Sequence, residues 1–146
     1  MGNLQPVYEG VHLFVRDMAR TVAFYRILGL PIAEGAEQND HVVVPGMAIV
    51  FGSHELTRGY DPNFEEPRGA SPNSLQFQLA TRLAVDEMYA QLTSAGFAEH
   101  LPPIDAFWGS RYAVVCDPDG NLVGLQSPRD SARAAPPPLS MPAEGG

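Results

Sequence analysis

Basic residues are scarce in this chain. Lysine and arginine together number 9 against 17 aspartates and glutamates, a formal net charge of −8. A surface of that sign repels phosphate backbones and excludes nucleic acid as an expected partner. Cysteine occurs once, as Cys116, so no internal disulfide forms and a reducing, cytoplasmic location is the default. No apolar run approaches the ~18–20 residues of a membrane span, so no membrane partner is expected. The start, Met1-Gly2-Asn3-Leu4-Gln5-Pro6, has neither the basic opening nor the apolar stretch of a secretory signal. Tryptophan also occurs once, at Trp108.

What is present is a chain of 146 residues, 45% hydrophobic and 18% charged, enough to bury the core of one domain built from two related halves. Residues 7–15 read as a strand, and Asp17 is placed to cap a helix over 18–28, with apolar residues at Met18, Val22, Tyr25 and Leu28. Gly29 ends it and Pro31 prevents resumption. Strands are expected over 30–34, 41–44 and 47–51, the last two joined by a turn at Pro45-Gly46.

The order then repeats. Residues 75–79 alternate as Leu, Gln, Phe, Gln, Leu, the period of a half-buried strand. Val85, Met88, Tyr89 and Leu92 share one face of a helix that stops at Gly96. Strands are expected over 97–101, 112–116 and 122–126, with Asp117-Pro118-Asp119-Gly120-Asn121 as the last hairpin turn. Leu28-Gly29-Leu30 is echoed by Ala95-Gly96-Phe97. The expectation is an α+β fold of two βαβββ modules, at about 7–52 and 74–128, joined by a linker over 53–73. A tail over 129–146 carries Pro136-Pro137-Pro138 and Pro142, and its composition does not supply the burial that orders a chain.

Val15-Arg16-Asp17, Phe24-Tyr25, Leu28-Gly29 and the Asp117 to Asn121 turn resemble the vicinal oxygen chelate superfamily, the group of glyoxalases, bleomycin resistance proteins and extradiol dioxygenases. The resemblance covers residues 7–128. It implies that each module curls into half of an open barrel around a ligand cleft. In metal-dependent members of such a family the donors lie on inward-facing strand positions, which fall here at Gly10, Ser74 and Gly124, with Ile49 to Phe51 beside a fourth. Glycine offers no donor, so the resemblance argues against the metal-dependent branch and implies no cofactor. His12 lies two residues beyond Gly10, and His54 and His100 lie at element ends, but no His-x-His or paired-cysteine spacing links them.

Two stretches narrow the resemblance. Tyr60-Asp61-Pro62-Asn63-Phe64 with Pro67, and Phe107-Trp108-Gly109-Ser110-Arg111-Tyr112, are similar to the mitomycin-binding antibiotic resistance proteins. Those are metal-free homodimers in which a planar drug lies between a histidine and a tryptophan. The matching positions are His41 and Trp108, with Tyr60, Phe64, Arg111 and Tyr112 as further ligand contacts. Pro102-Pro103 and the polar residues around Trp108 place that ring on a loop, where an aromatic plate suits stacking on a flat ligand. Cys116 sits in an apolar strand with no base beside it and reads as a small packing residue.

The expected function is therefore metal-independent binding and sequestration of a planar aromatic or quinone-like molecule by a homodimer, with no catalytic residue. The alternative is a glyoxalase- or dioxygenase-like enzyme of unknown substrate. Product formation on incubation with a ligand separates the two.

Overall fold

The computed structural model describes residues 4–69 and 73–138. The chain divides into two compact units between Arg68 and Gly69.

The first unit opens with β1 (Val11–Val15), shorter than the strand expected over 7–15. α1 (Met18–Leu28) follows with the bounds its periodicity implies. The Asp17 carboxylate accepts the Arg20 N–H, satisfying one of the donors a helix start leaves open. At the other end Leu30 N–H donates to Tyr25 O and Gly29 N–H to Arg26 O, a Schellman closure with Gly29 in the left-handed conformation. β2 (His41–Val44) and β3 (Ile49–Ser53) complete a sheet ordered β1-β3-β2, in which β1 runs parallel to β3 and β2 antiparallel to it. Leu13, Val15, Val42, Val44, Ile49 and Phe51 are buried on one side of this sheet. Tyr25 of α1 meets Phe51 there, ring centroids 5.0 Å apart.

The strand expected over 30–34 does not form. Pro31 has no N–H, the Leu30 N–H is spent on the helix end and the Ile32 N–H on Leu30 O. Arg26 takes the Ala33 carbonyl at 2.6 Å. The first donors of the segment are thus withheld from a sheet ladder, although Leu30 and Ile32 are still buried. The chain passes instead through a short 3-10 turn, Ala36–Gln38. The first unit therefore has three strands where the repeat implied four.

The linker expected over 53–73 carries a helix, α2 (His54–Tyr60). Ser53 caps it, its Oγ accepting the Leu56 N–H at 3.0 Å. Gly59 and the nearby Pro62 masked this signal in the sequence. Residues 70–72 of that linker lie outside the described residues.

The second unit contains the full module. β4 (Ser74–Gln78), α3 (Arg82–Ser94), β5 (Glu99–Asp105), β6 (Arg111–Cys116) and β7 (Leu122–Gln126) form a sheet ordered β4-β7-β6-β5 with α3 packed on it. Thr81 caps α3, and Phe97 N–H donates to Leu92 O in the same closure that ends α1. Ala113, Val115, Val123 and Leu125 are fully buried with Val85 and Leu92. β5 starts and ends later than the expected 97–101. It includes Pro102 and Pro103, whose composition is that of a loop. They are tolerated because β5 is the edge strand and its register to β6 shifts on both sides of Leu101. The buried Asp117 closes the β6–β7 turn by accepting from Asp119 N–H, Asn121 N–H and Asn121 Nδ2, each at 2.9 Å.

The described part of the tail is exposed, as its composition implies, and is held by backbone hydrogen bonds. Asp130 caps a 3-10 turn, Ser131–Arg133, and residues 128–135 run against the β5–β6 turn. Residues 139–146 lie outside the described residues.

Candidate functional site

Strand alternation leaves His12 and Phe14 of β1, His41 and Val43 of β2, and Val50 and Gly52 of β3 on the side of the first sheet opposite its buried face. The His12 ring lies on Gly52, where a Cβ would come within 3.1 Å of its Cε1. It is also 4.8 Å from the Phe14 ring and edge-on to His41 at 6.5 Å. His12 and His41, with Glu9, Gly10, Val11 and Val50, line a shallow pocket of about 300 Å³.

Desolvation of the ring, and then the neighbouring His41 charge, hold the His12 imidazole below its ordinary value of 6.5. A lowered imidazole favours the neutral form in the folded state. Its stabilising contribution is therefore present above the unfolded value and is lost as pH falls through the lower folded one. In a proton NMR titration His12 is expected to titrate below 6.5, with His41→Gln returning only the part of the shift that His41 causes. A His12 pKa above 6.5 would contradict this arrangement.

Phe64 stands 5.2 Å from Phe14 and 5.3 Å from His54, with the Arg58 guanidinium 5.9 Å from its ring. It anchors the segment after α2 to the same side of the sheet. Tyr60, at the end of α2, is 60% exposed. Glu66 receives Arg16 at 3.0 Å and also pairs with Arg58, so hydrogen bonding from Arg16 keeps its carboxyl below the usual carboxylate range. His54, read from sequence as lying at an element end, is the first residue of α2 and is buried.

In the second unit the sequence-expected residues Trp108, Tyr112 and Arg111 come together at the β5–β6 turn. Trp108 is half-buried. Its indole N–H donates to Gln126 Oε1 at 3.2 Å, and its ring meets Tyr112 edge-on at 5.2 Å. Arg111 does something else with its guanidinium. Nε donates to Asp86 at 2.8 Å and Nη1 to Asp105 at 3.2 Å. It ties the turn to α3, and the Asp86 bond, outweighing desolvation, raises its pKa further. Arg82 also pairs with Asp105. Cys116 is half-buried, and burial, then the Asp117 charge, push its thiol up, which keeps it protonated and poorly nucleophilic.

The donor positions implied by the resemblance do not fit a metal ion. Gly10 has φ +145°, and a Cβ there would lie 2.5 Å from the Ala48 carbonyl oxygen. Gly124 is covered by the Gln76 side chain, whose amide carbon would be 2.7 Å from a Cβ. Gln76 in turn donates to Ser74 Oγ at 2.9 Å, engaging the third position. Among the described residues no three His, Cys, Asp or Glu side chains gather to hold an ion. The sequence missed Gln76 and Gln126. Their signal was the alternation of glutamines along β4 and at the end of β7, which reads equally well as a solvated strand face.

Among the described residues no helix is long and apolar enough to cross a membrane. The comparison with curated proteins finds no match. Solved structures similar to the chain include a glyoxalase/bleomycin resistance protein/dioxygenase family enzyme from Burkholderia phytofirmans PsJN, 24% identical over 82% of this chain and 96% of that one, TM-score 0.67. A glyoxalase/bleomycin resistance protein/dioxygenase from Nocardioides is 22% identical over 95% and 93%, TM-score 0.66. A lactoylglutathione lyase from Agrobacterium tumefaciens is 18% identical over 86% and 96%, TM-score 0.55. At these identities the likeness shows the α+β, glyoxalase-like fold and no particular chemistry. The model of the glyoxalase/bleomycin resistance protein/dioxygenase superfamily matches residues 8–125. With most of both units inside that match, the chain belongs to the glyoxalase/bleomycin resistance protein/dioxygenase superfamily.

Proposed function

We propose that this protein binds and sequesters a planar, largely apolar small molecule without a metal ion, in the manner of a drug-binding antibiotic resistance protein. The observation that carries the reading is the closure of Gly10 and Gly124 by their own neighbours, Ala48 and Gln76. At Gly10 the backbone leaves no room for a donor side chain, and at Gly124 the Gln76 side chain occupies the space one would take. What each unit offers instead is a flat surface: the exposed His41 beside its pocket, and the Trp108 indole oriented by Gln126 and Tyr112.

Sequestration needs no turnover. A micromolar Kd corresponds to about −8 kcal/mol, a scale that stacking plus desolvation of a flat ring can reach. The ligand class is an aromatic or quinone-like compound, gripped by dispersion and quadrupole contacts with its edges left for hydrogen bonds. The working form is proposed to be a homodimer in the cytoplasm, since open sheets leave edges that a second copy can cover.

Titration with a panel of flat aromatic compounds and quinones tests the reading. Expected results are saturable quenching of tryptophan emission, recovery of the compound unchanged, and no stoichiometric Zn, Fe, Mn or Ni by elemental analysis. Sedimentation at tens of micromolar should show a dimer, since interfaces of standard size hold at such concentrations. About one metal ion per chain, or conversion of the compound, would move the protein to the enzyme reading.

A further inference from the structure

We infer that residues 128–135 form a strap that sets the orientation of Trp108, which makes this C-terminal segment a positioning element of the ligand site. The functional consequence rests on the ligand-binding reading above. The strap itself does not.

The tip of the β5–β6 hairpin is closed from within by Ala106 N–H to Ser110 O at 2.9 Å and Gly109 N–H to Ala106 O at 3.0 Å. These bonds shape the turn but leave the carbonyls on either side of Trp108 pointing elsewhere. The tail takes both. Asp130 N–H donates to Gly109 O at 3.1 Å, and Ala135 N–H donates to Phe107 O at 2.7 Å. At the root of the strap, Ser127 N–H donates to Arg111 O at 3.0 Å while Ser127 Oγ accepts the Arg111 N–H at 2.8 Å. The carbonyls of the residues before and after Trp108 are therefore tied to a segment more than twenty residues later in the chain. The indole N–H is held separately by Gln126. With the carbonyls of both neighbouring residues and the ring nitrogen engaged, the backbone that carries Trp108 and one edge of its ring are held before any ligand arrives, which lowers the ordering cost of binding.

The strap is itself ordered locally. The Asp130 carboxylate accepts the Ala132 N–H at 3.0 Å and pairs with Arg133 at 3.3 Å, while Arg133 N–H returns to Asp130 O at 2.9 Å. Four residues thus make a rigid turn in a segment whose proline content argued against order.

The same crossing explains the glycine after the tryptophan. Gly109 has φ +98°, and a Cβ there would stand 3.1 Å from the Asp130 carbonyl carbon, with the oxygen nearer still. Any side chain at 109 would have to lift the strap. The Trp-Gly pair is therefore one structural unit, a plate and the gap through which its brace passes.

Ala135→Pro in the full-length protein isolates the contact. It removes the N–H that reaches Phe107, and Ala134 already sits at φ −76°, ψ 146°, a conformation compatible with a following proline. Asp130→Ala loosens the turn without touching the backbone donors. Pro138→Ala, outside the strap, is the control. Without ligand, Ala135→Pro should shift Trp108 emission, raise its acrylamide quenching constant about two-fold and speed hydrogen exchange over 106–110, with the denaturation midpoint little changed. Asp130→Ala should do the same to a smaller extent. Emission, quenching and exchange that match wild type in both variants would overturn the strap. If they change while affinity for a quenching flat compound does not, the strap stands and Trp108 is not the plate.

Discussion

Gly10→His should destabilise the protein by about 3 kcal/mol or more, and should not create a metal site. Two costs add. A φ of +145° is a backbone conformation that side-chain-bearing residues rarely adopt, and a Cβ would lie 2.5 Å from the Ala48 carbonyl oxygen. That oxygen cannot swing away, because it accepts the Val11 N–H at 2.9 Å at the start of β1. Denaturant titration of three variants separates the terms. Gly35→His, where φ is +83° but nothing lies within 4 Å, carries the conformational cost alone, about 1 kcal/mol. Gly124→His meets only the end of the flexible Gln76 side chain and should fall between the other two. A Gly10→His protein as stable as wild type, or one that takes up zinc with a rise in Tm, would mean that this position is an open donor slot after all.

Trp108→Ala is expected to weaken binding of a flat ligand by about 1–3 kcal/mol, the usual loss for a stacked aromatic that dominates a site. Because Trp108 is the lone tryptophan, the variant must be followed by calorimetry or ligand absorbance. The fold should survive. The ring is only half-buried, and the core of its unit lies in Ala113, Val115, Val123, Leu125, Val85 and Leu92. Trp108→Phe keeps a flat face but drops the N–H to Gln126, so it should retain part of the affinity. His41→Ala should cost less than Trp108→Ala, since an exposed imidazole offers a smaller face. Unchanged affinity in Trp108→Ala for a compound that binds wild type would end the stacking reading. A cooperative loss of structure would make Trp108 a core residue.

These expectations rest on features of different legibility. Whatever is decided within a few residues could be read from the sequence. Asp17 caps its helix by reaching three residues ahead, Gly29 and Gly96 end the two helices in the same closure, and Asp117 folds its turn onto its own next four residues. The duplicated order and the family could be read for the same reason.

What tertiary structure alone decided involves partners distant in the chain. Residues 30–34 have a strand's apolar pattern, yet the Leu30 N–H goes to the helix end, Pro31 has none and the Ile32 N–H turns back to Leu30, and no ladder forms there. Arg111 reads from the sequence as a ligand contact, and only the fold brings its Nε to Asp86, twenty-five residues away. The glycines at 10 and 124 could be seen to lack donors. That their space is already filled, by Ala48 and by Gln76, required the register of β1 on β3 and of β4 on β7. The contacts of the tail are of the same long-range kind. Its composition supplies little apolar burial, and composition is silent about hydrogen bonds. The carbonyls beside Trp108 offered acceptors that only the folded hairpin brings within reach of Asp130 and Ala135.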